Sequence, residues 1–217
     1  TADIADMWVH EGFTMYSEVL YTECQSGKDA AEEYLVGVRR NIGNDKPVIG
    51  PYGMNREGSG DMYYKGASVV HMVRQIIGEE KFKAMLLEMQ RKYRHKVVTS
   101  AEIEAFMNSY STSDLTPLFD QYLRTIRVPV LEWGVANKQL LARWTNCIDT
   151  FHMQVMITMN GKPMLTTIGR DWKVIATGKV KRAKVALDRN WYATVRAVPA
   201  SEMKGIAPLK IVSPELQ

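Results

Sequence analysis

Apolar residues recur every three or four positions through the first 126 residues of the chain and every second position after Pro129. The first period is that of an amphipathic helix and the second that of a half-buried strand. Asp3 or Asp6 can open a first helix, which runs through W-V-H-E-G-F-T-M-Y-S-E-V-L-Y-T-E-C and stops before Ser26-Gly27. K-D-A-A-E-E-Y-L-V-G-V-R-R forms a second helix, ending at Asn41 to Gly43. A loop dense in Gly, Pro and Asn follows. Asp61 is placed to cap the next helix, M-Y-Y-K-G-A-S-V-V-H-M-V-R-Q-I-I, which ends at Gly78. Phe82, Met85, Leu86 and Met89 mark a further helix over Glu79 to Tyr93. Thr99 with Glu102 has capping-box spacing, and Asp114 with Pro117 opens a last helix, D-L-T-P-L-F-D-Q-Y-L-R.

Beyond Pro129, Met153, Val155, Ile157 and Met159 alternate with His152, Gln154, Met156 and Thr158. Asn160-Gly161 follows, a strong hairpin signal, and K-P-M-L-T-T-I is the return strand. Further short strands fit V-L-E-W-G-V, L-L-A-R-W, W-K-V-I-A, W-Y-A-T-V-R-A-V and A-P-L-K-I-V. The expected fold class is therefore α+β: a helical part, 1–126, and a small antiparallel β-sandwich, 127–217.

Charge sharpens that division. Residues 1–126 carry 14 Lys and Arg against 18 Asp and Glu, whereas residues 127–217 carry 14 against 6. No apolar run approaches the roughly 18 residues that a membrane-crossing helix needs. The opening T-A-D-I-A-D-M-W has neither an initiator Met nor the basic and apolar regions of a signal peptide, so the chain reads as starting inside a longer one. Cys24 and Cys147 form no disulfide framework and no C-x-x-C spacing, which leaves the redox compartment open. The basic run G-K-V-K-R-A-K, 178–184, lacks interleaved aromatics; it reads as a charged edge strand before it reads as a nucleic-acid surface.

His10-Glu11 looks like the start of the zinc-protease signature H-E-x-x-H, but position 14 is Thr14, and the second His is missing. His71, His95 and His152 are isolated from any partner at ligand spacing. Taken alone, Glu11 reads as one more solvated helical carboxylate and Tyr63 as a helix-start aromatic. Gly12 is less ordinary: a glycine inside a helix costs about 1 kcal/mol relative to alanine, so it calls for close packing or a functional reason.

The segment W-V-H-E-G-F-T-M-Y-S-E resembles the W-L-x-E-G-F-x-x-Y-x-E stretch of the gluzincin aminopeptidases, the family of aminopeptidase N and leukotriene hydrolase. M-Y-Y-K-G-A-S-V-V is similar to that family's Y-x-K-G element, and F-D-Q-Y-L-R-T-I-R-V-P-V-L-E-W to the passage from its catalytic domain into a β-sandwich. The resemblance implies a thermolysin-like catalytic domain, of which residues 1–126 would be the C-terminal helical part. It implies that Glu11 is a zinc ligand, that His10 is not, and that the hydroxyl of Tyr63 faces the reacting carbonyl. It further implies zinc as cofactor and peptides with a free N-terminus as substrates, with no nucleic acid as partner. H-E-x-x-H, with the other two ligands and the general base, would lie roughly 23 residues before Glu11, outside this chain. The amine-binding G-x-M-E-N element is absent too, since Gly53-Met54-Asn55 lacks the glutamate. The chain by itself is therefore expected to be inactive. Two other readings remain open at this stage: a non-catalytic peptide-binding or scaffold relative, and a basic interaction module.

Overall fold

A computed structural model describes residues 1–178 and 183–208. The chain divides into two compact units, Thr1–Arg127 with Arg189–Tyr192, and Val128–Asp188 with the residues from Ala193 onward. The class is α+β.

The first unit is helical: α1 (Trp8–Ser26), α2 (Lys28–Val38), α3 (Tyr64–Ile77), α4 (Glu79–Tyr93), α5 (Ser100–Asn108) and α6 (Thr116–Arg124). α1 buries Trp8, Gly12, Met15, Tyr16 and Val19, one stripe at helical spacing. It stops where Gly27 adopts φ +88°, a conformation that favours glycine. α3 is buried almost all round, from Lys65 to Arg74 and at Ile77, and is the central helix of the unit. Thr99 and Glu102 close the expected capping box at the start of α5.

Two caps differ from expectation. Asp61 does not cap α3: a 3-10 turn, Gly60–Met62, intervenes, and its N-cap is Ser59. The Asp61 carboxylate instead accepts hydrogen bonds from the Gly43 and Asn44 amides, at 2.8 and 2.7 Å, and pins the returning loop. Asp114 sits one residue before the N-cap position, Leu115, and accepts from the Thr116 amide at 2.9 Å.

The second unit contains β1 (Val130–Ala136), β2 (Gln139–Thr145), β3 (Met153–Met159), β4 (Lys162–Ile168), β5 (Lys173–Thr177), β6 (Val185–Leu187) and β7 (Thr194–Ala197). They form one sheet in the order β5-β2-β1-β7 and another in the order β4-β3-β6. The β3–β4 hairpin turns at Asn160 and Gly161, both at positive φ, as the Asn-Gly signal requires. The pairing of β1 with β7 is parallel, against the antiparallel expectation. Charge supports that register: Glu132 on β1 lies opposite Arg143 on β2 and Arg196 on β7, and ion-pairs with them at 2.9 and 2.5 Å.

The stretch W-Y-A-T-V-R-A-V is not one strand. Trp191 and Tyr192 belong to the helical unit, where the Tyr122 hydroxyl donates to the Tyr192 carbonyl at 2.7 Å. Only Thr194–Ala197 pairs in a sheet. β6 was not foreseen, being three residues long. Most of the basic run (179–182) and the end of A-P-L-K-I-V (from 209) lie outside the described residues.

Candidate active site

The two motif glycines meet. A Cβ on Gly12 would lie 3.1 Å from the Gly66 Cα and 3.2 Å from the Met62 carbonyl oxygen; one on Gly66 would lie 3.0 Å from the Gly12 Cα. The backbones of α1 and α3 therefore touch at this point, and a methyl on either glycine would force the facing backbone to give by a few tenths of an ångström. E-G-F and Y-x-K-G are thus two sides of one helix crossing. The helix-interior cost of Gly12 has a packing cause.

That crossing sets the groups beside the two glycines. Glu11, in the first turn of α1, donates its amide to the Met7 carbonyl at 3.0 Å. Its side chain is half-buried, and among the described residues it makes no hydrogen bond or ion pair. A carboxylate near a helix N-terminus is favoured there by the aligned peptide dipoles. Tyr63 is the residue before α3, 39% exposed, with its ring beside that of Tyr64 at 6.3 Å between centroids. Its hydroxyl likewise has no hydrogen-bond partner among the described residues.

Lys65, the residue before Gly66, is fully buried and donates to the Thr125 carbonyl at 3.0 Å. Burial pushes its pKa down to about 8, against the opposing attraction of Asp61 and Asp45. Further along α1, Met15 turns inward, so it does not share an open face with Glu11 and Glu18. Glu18 is exposed and accepts a short hydrogen bond from the Tyr34 hydroxyl. With Thr14, Ser17, Tyr21 and Thr22 they border an open depression of about 490 Å³.

The other end of α3 holds a polar cluster that the sequence did not announce. Arg74 donates to both oxygens of Glu23, at 2.7 and 2.8 Å, to Glu79 and to the Tyr16 hydroxyl. Tyr16 lies 3.0 Å from His71 Nδ1, and His71 Nε2 lies 2.9 Å from the Asn190 side-chain oxygen. The contacts to Tyr16 and Asn190 are matched when Arg74 donates to Tyr16, Tyr16 to His71 Nδ1 and His71 Nε2–H to Asn190, with the Gln75 side-chain amide also 3.2 Å from Nε2. This arrangement requires neutral His71. Burial, helped by the nearby Arg39, Arg74 and Lys28, lowers the His71 pKa to about 4 despite the bond to Asn190. Burial also raises Tyr16 to about 12, against the pull of Arg74. The i, i+3 spacing of His71 and Arg74 on α3 was a legible signal; Asn190, far away in sequence, was not.

The four histidines are not gathered with Glu11. His10 is exposed, His71 belongs to the cluster just described, His95 sits in a turn at φ +60°, and His152 bonds the Thr150 carbonyl at 3.1 Å. Among the described residues no group of three or more His, Cys, Asp or Glu side chains could hold a metal ion. A catalytic zinc takes three protein ligands. Among the described residues the Glu11 carboxylate has no partner, and no other His, Cys, Asp or Glu side chains complete a three-ligand set with it. No helix among the described residues is long and apolar enough to cross a membrane.

Comparison with known proteins bears on this geometry. A family model described as the peptidase family M1 domain matches residues 2–122. The chain is 24% identical over 158 residues to endoplasmic reticulum aminopeptidase 2 of Homo sapiens, a match covering 64% of this chain and 16% of that protein. The chain thus spans less than a fifth of the length of the curated relative it matches.

Proposed function

The chain belongs to peptidase family M1, and from that premise we propose that it supplies one wall of a zinc aminopeptidase active site, with Glu11 as a metal ligand and Tyr63 as a hydrogen-bond donor to the reacting carbonyl. The single observation that carries this is the Gly12–Gly66 contact. It brings the two motifs together, and the groups adjoining them, the Glu11 carboxylate and the Tyr63 hydroxyl, have no hydrogen-bond partner among the described residues.

Peptides with a free N-terminus are the substrate class, cleaved one residue at a time. Zinc, when bound, acts as a Lewis acid that acidifies water and polarises the scissile carbonyl. This chain's own part is to hold a carboxylate where the metal sits and to present the Tyr63 hydroxyl to the carbonyl oxygen. A hydrogen bond from that phenol strengthens as negative charge develops on the oxygen, so it favours the transition state over the bound substrate. Since Glu11 is one ligand of three, two histidines and the general base come from outside the described residues. By itself the chain then retains zinc weakly and does not turn over substrate.

The test compares Tyr63→Phe and Glu11→Ala in an aminopeptidase polypeptide that carries this chain together with an H-E-x-x-H segment. Tyr63→Phe is expected to lower kcat by roughly a hundredfold or more with little change in KM, the cost of one oxyanion donor. Glu11→Ala is expected to lower zinc content together with activity, and excess zinc should restore part of the activity in that variant alone. Unchanged kcat in Tyr63→Phe would return that residue to a helix-start aromatic. Stoichiometric zinc held by the isolated 217-residue chain after chelator dialysis would mean a ligand set other than this one.

A further inference from the structure

We propose that Lys65 is a positioning residue for Tyr63: by bonding the carbonyl at the end of α6 it fixes the turn of chain that presents the Tyr63 hydroxyl. This rests on the reading of Tyr63 as the oxyanion donor.

The side chain of Lys65 is fully buried and has no carboxylate within ion-pairing distance among the described residues. Burying an ammonium on a single carbonyl is costly, and an apolar side chain of similar length would fill the same space without that cost. Packing alone therefore does not explain a lysine here. What the bond does is mechanical. α3 begins without any side-chain cap, and the carbonyl of Tyr63, the residue in the cap position, accepts the ordinary helical bond from the Ala67 amide at 2.9 Å. The first turn of α3 lacks the local restraint that a Ser, Thr or Asp would give it.

Two tertiary restraints stand in its place. On one side Gly66 is pressed against Gly12. On the other, Lys65 reaches Thr125, the residue that ends α6, where unpaired carbonyls and the negative end of the helix dipole favour a cation. That anchor is itself tied down: Thr125 Oγ1 donates to the Gln121 carbonyl at 2.6 Å, and the Gln121 amide donates to the Arg127 carbonyl at 2.7 Å. The glycine contact sets how close α3 comes to α1. The lysine bond sets the rotation and tilt of its first turn, and so the direction in which Tyr63 leaves it.

A double-mutant cycle separates this from a purely structural role, in the same aminopeptidase polypeptide. Lys65→Met keeps the volume and removes the bond; it is expected to lower kcat roughly ten- to a hundredfold with KM nearly unchanged, the effect of misplacing a catalytic group by about an ångström. In a Tyr63→Phe background the same substitution is expected to cost nothing further, because the group it positions is gone. If the two losses multiply, or Lys65→Met leaves kcat intact, the positioning role is wrong while the Tyr63 reading stands. If Tyr63→Phe alone has no effect, the underlying reading has failed instead. Should Lys65→Met not fold, Lys65→Gln, which keeps a donor, enters the same cycle; failure of both to fold would overturn the proposal and make Lys65 a stability residue.

Discussion

The two ends of α3 use buried polar chemistry in opposite ways. At the C-terminal end, Arg74, His71, Tyr16, Glu23, Glu79 and Asn190 satisfy one another, and Arg74, His71 and Asn190 are nearly inaccessible. At the N-terminal end, the side chains of Tyr63, exposed, and Glu11, half-buried, have no hydrogen-bond partner among the described residues. A saturated network holds helices together and has nothing left to offer a ligand. Groups left unsatisfied on a rigid crossing contribute little to folding and are available for chemistry. The presence of a histidine, an arginine and two glutamates in one cluster is thus a poor guide to function; the state of their hydrogen bonds is a better one.

Substitutions can break this contrast. The largest expected effect is at the saturated end. Arg74→Ala leaves Glu23 and Glu79 without their shared cation and should cost about 3 kcal/mol in urea unfolding, less than breaking a fully buried pair because solvent reaches both carboxylates. Burial works against the Arg74 cation, but its bonds to Glu23, Tyr16 and Glu79 more than offset it and raise its pKa, so no accessible pH mimics the substitution.

Acid should act at the same end through His71. Its folded pKa, about 4, lies below that of an exposed histidine, so the folded state favours the neutral ring. The stability this represents is fully present above the unfolded value of about 6.5 and is lost as pH falls from there toward 4. The loss should reach about 2–3 kcal/mol in denaturant titrations at pH 7 and pH 4.5, and His71→Gln should flatten the dependence.

Gly66→Ala probes the crossing itself. The added methyl would press on the Gly12 Cα at 3.0 Å, where backbone and not a pliable side chain must yield. Destabilisation of about 1–3 kcal/mol is expected by thermal melting. Activity should fall as well, because both motifs hang on that contact.

The smallest effect sharpens the contrast most. Tyr63→Phe should change stability by less than about 0.5 kcal/mol, since the residue is exposed and its hydroxyl has no hydrogen-bond partner among the described residues, while the role proposed for it calls for a large effect on turnover. A clear fall in melting temperature for this variant would mean that the phenol has a structural partner, and the two ends of α3 would no longer differ in kind.

How far the sequence reached depends on the range of the interaction concerned. Periodicity, the Thr99–Glu102 box and the Asn160-Gly161 turn are local, and each was legible because the physics that forms it acts within a few residues. Glu11 and Tyr63 were singled out by resemblance, not by any local rule. Gly12 raised a question that its own segment could not answer. What tertiary structure decided is what long-range contacts decide: that Gly12 and Gly66 are one contact, that Asp61 holds Gly43 and Asn44 and leaves α3 uncapped, and that Lys65 is buried on Thr125. It also split W-Y-A-T-V-R-A-V, because Arg39 and Tyr122 hold the Trp191 and Tyr192 carbonyls and only Thr194–Ala197 pairs in a sheet. A strand-like pattern says which residues can alternate. It does not say which neighbours will bind their backbone, and those neighbours lie more than sixty positions away.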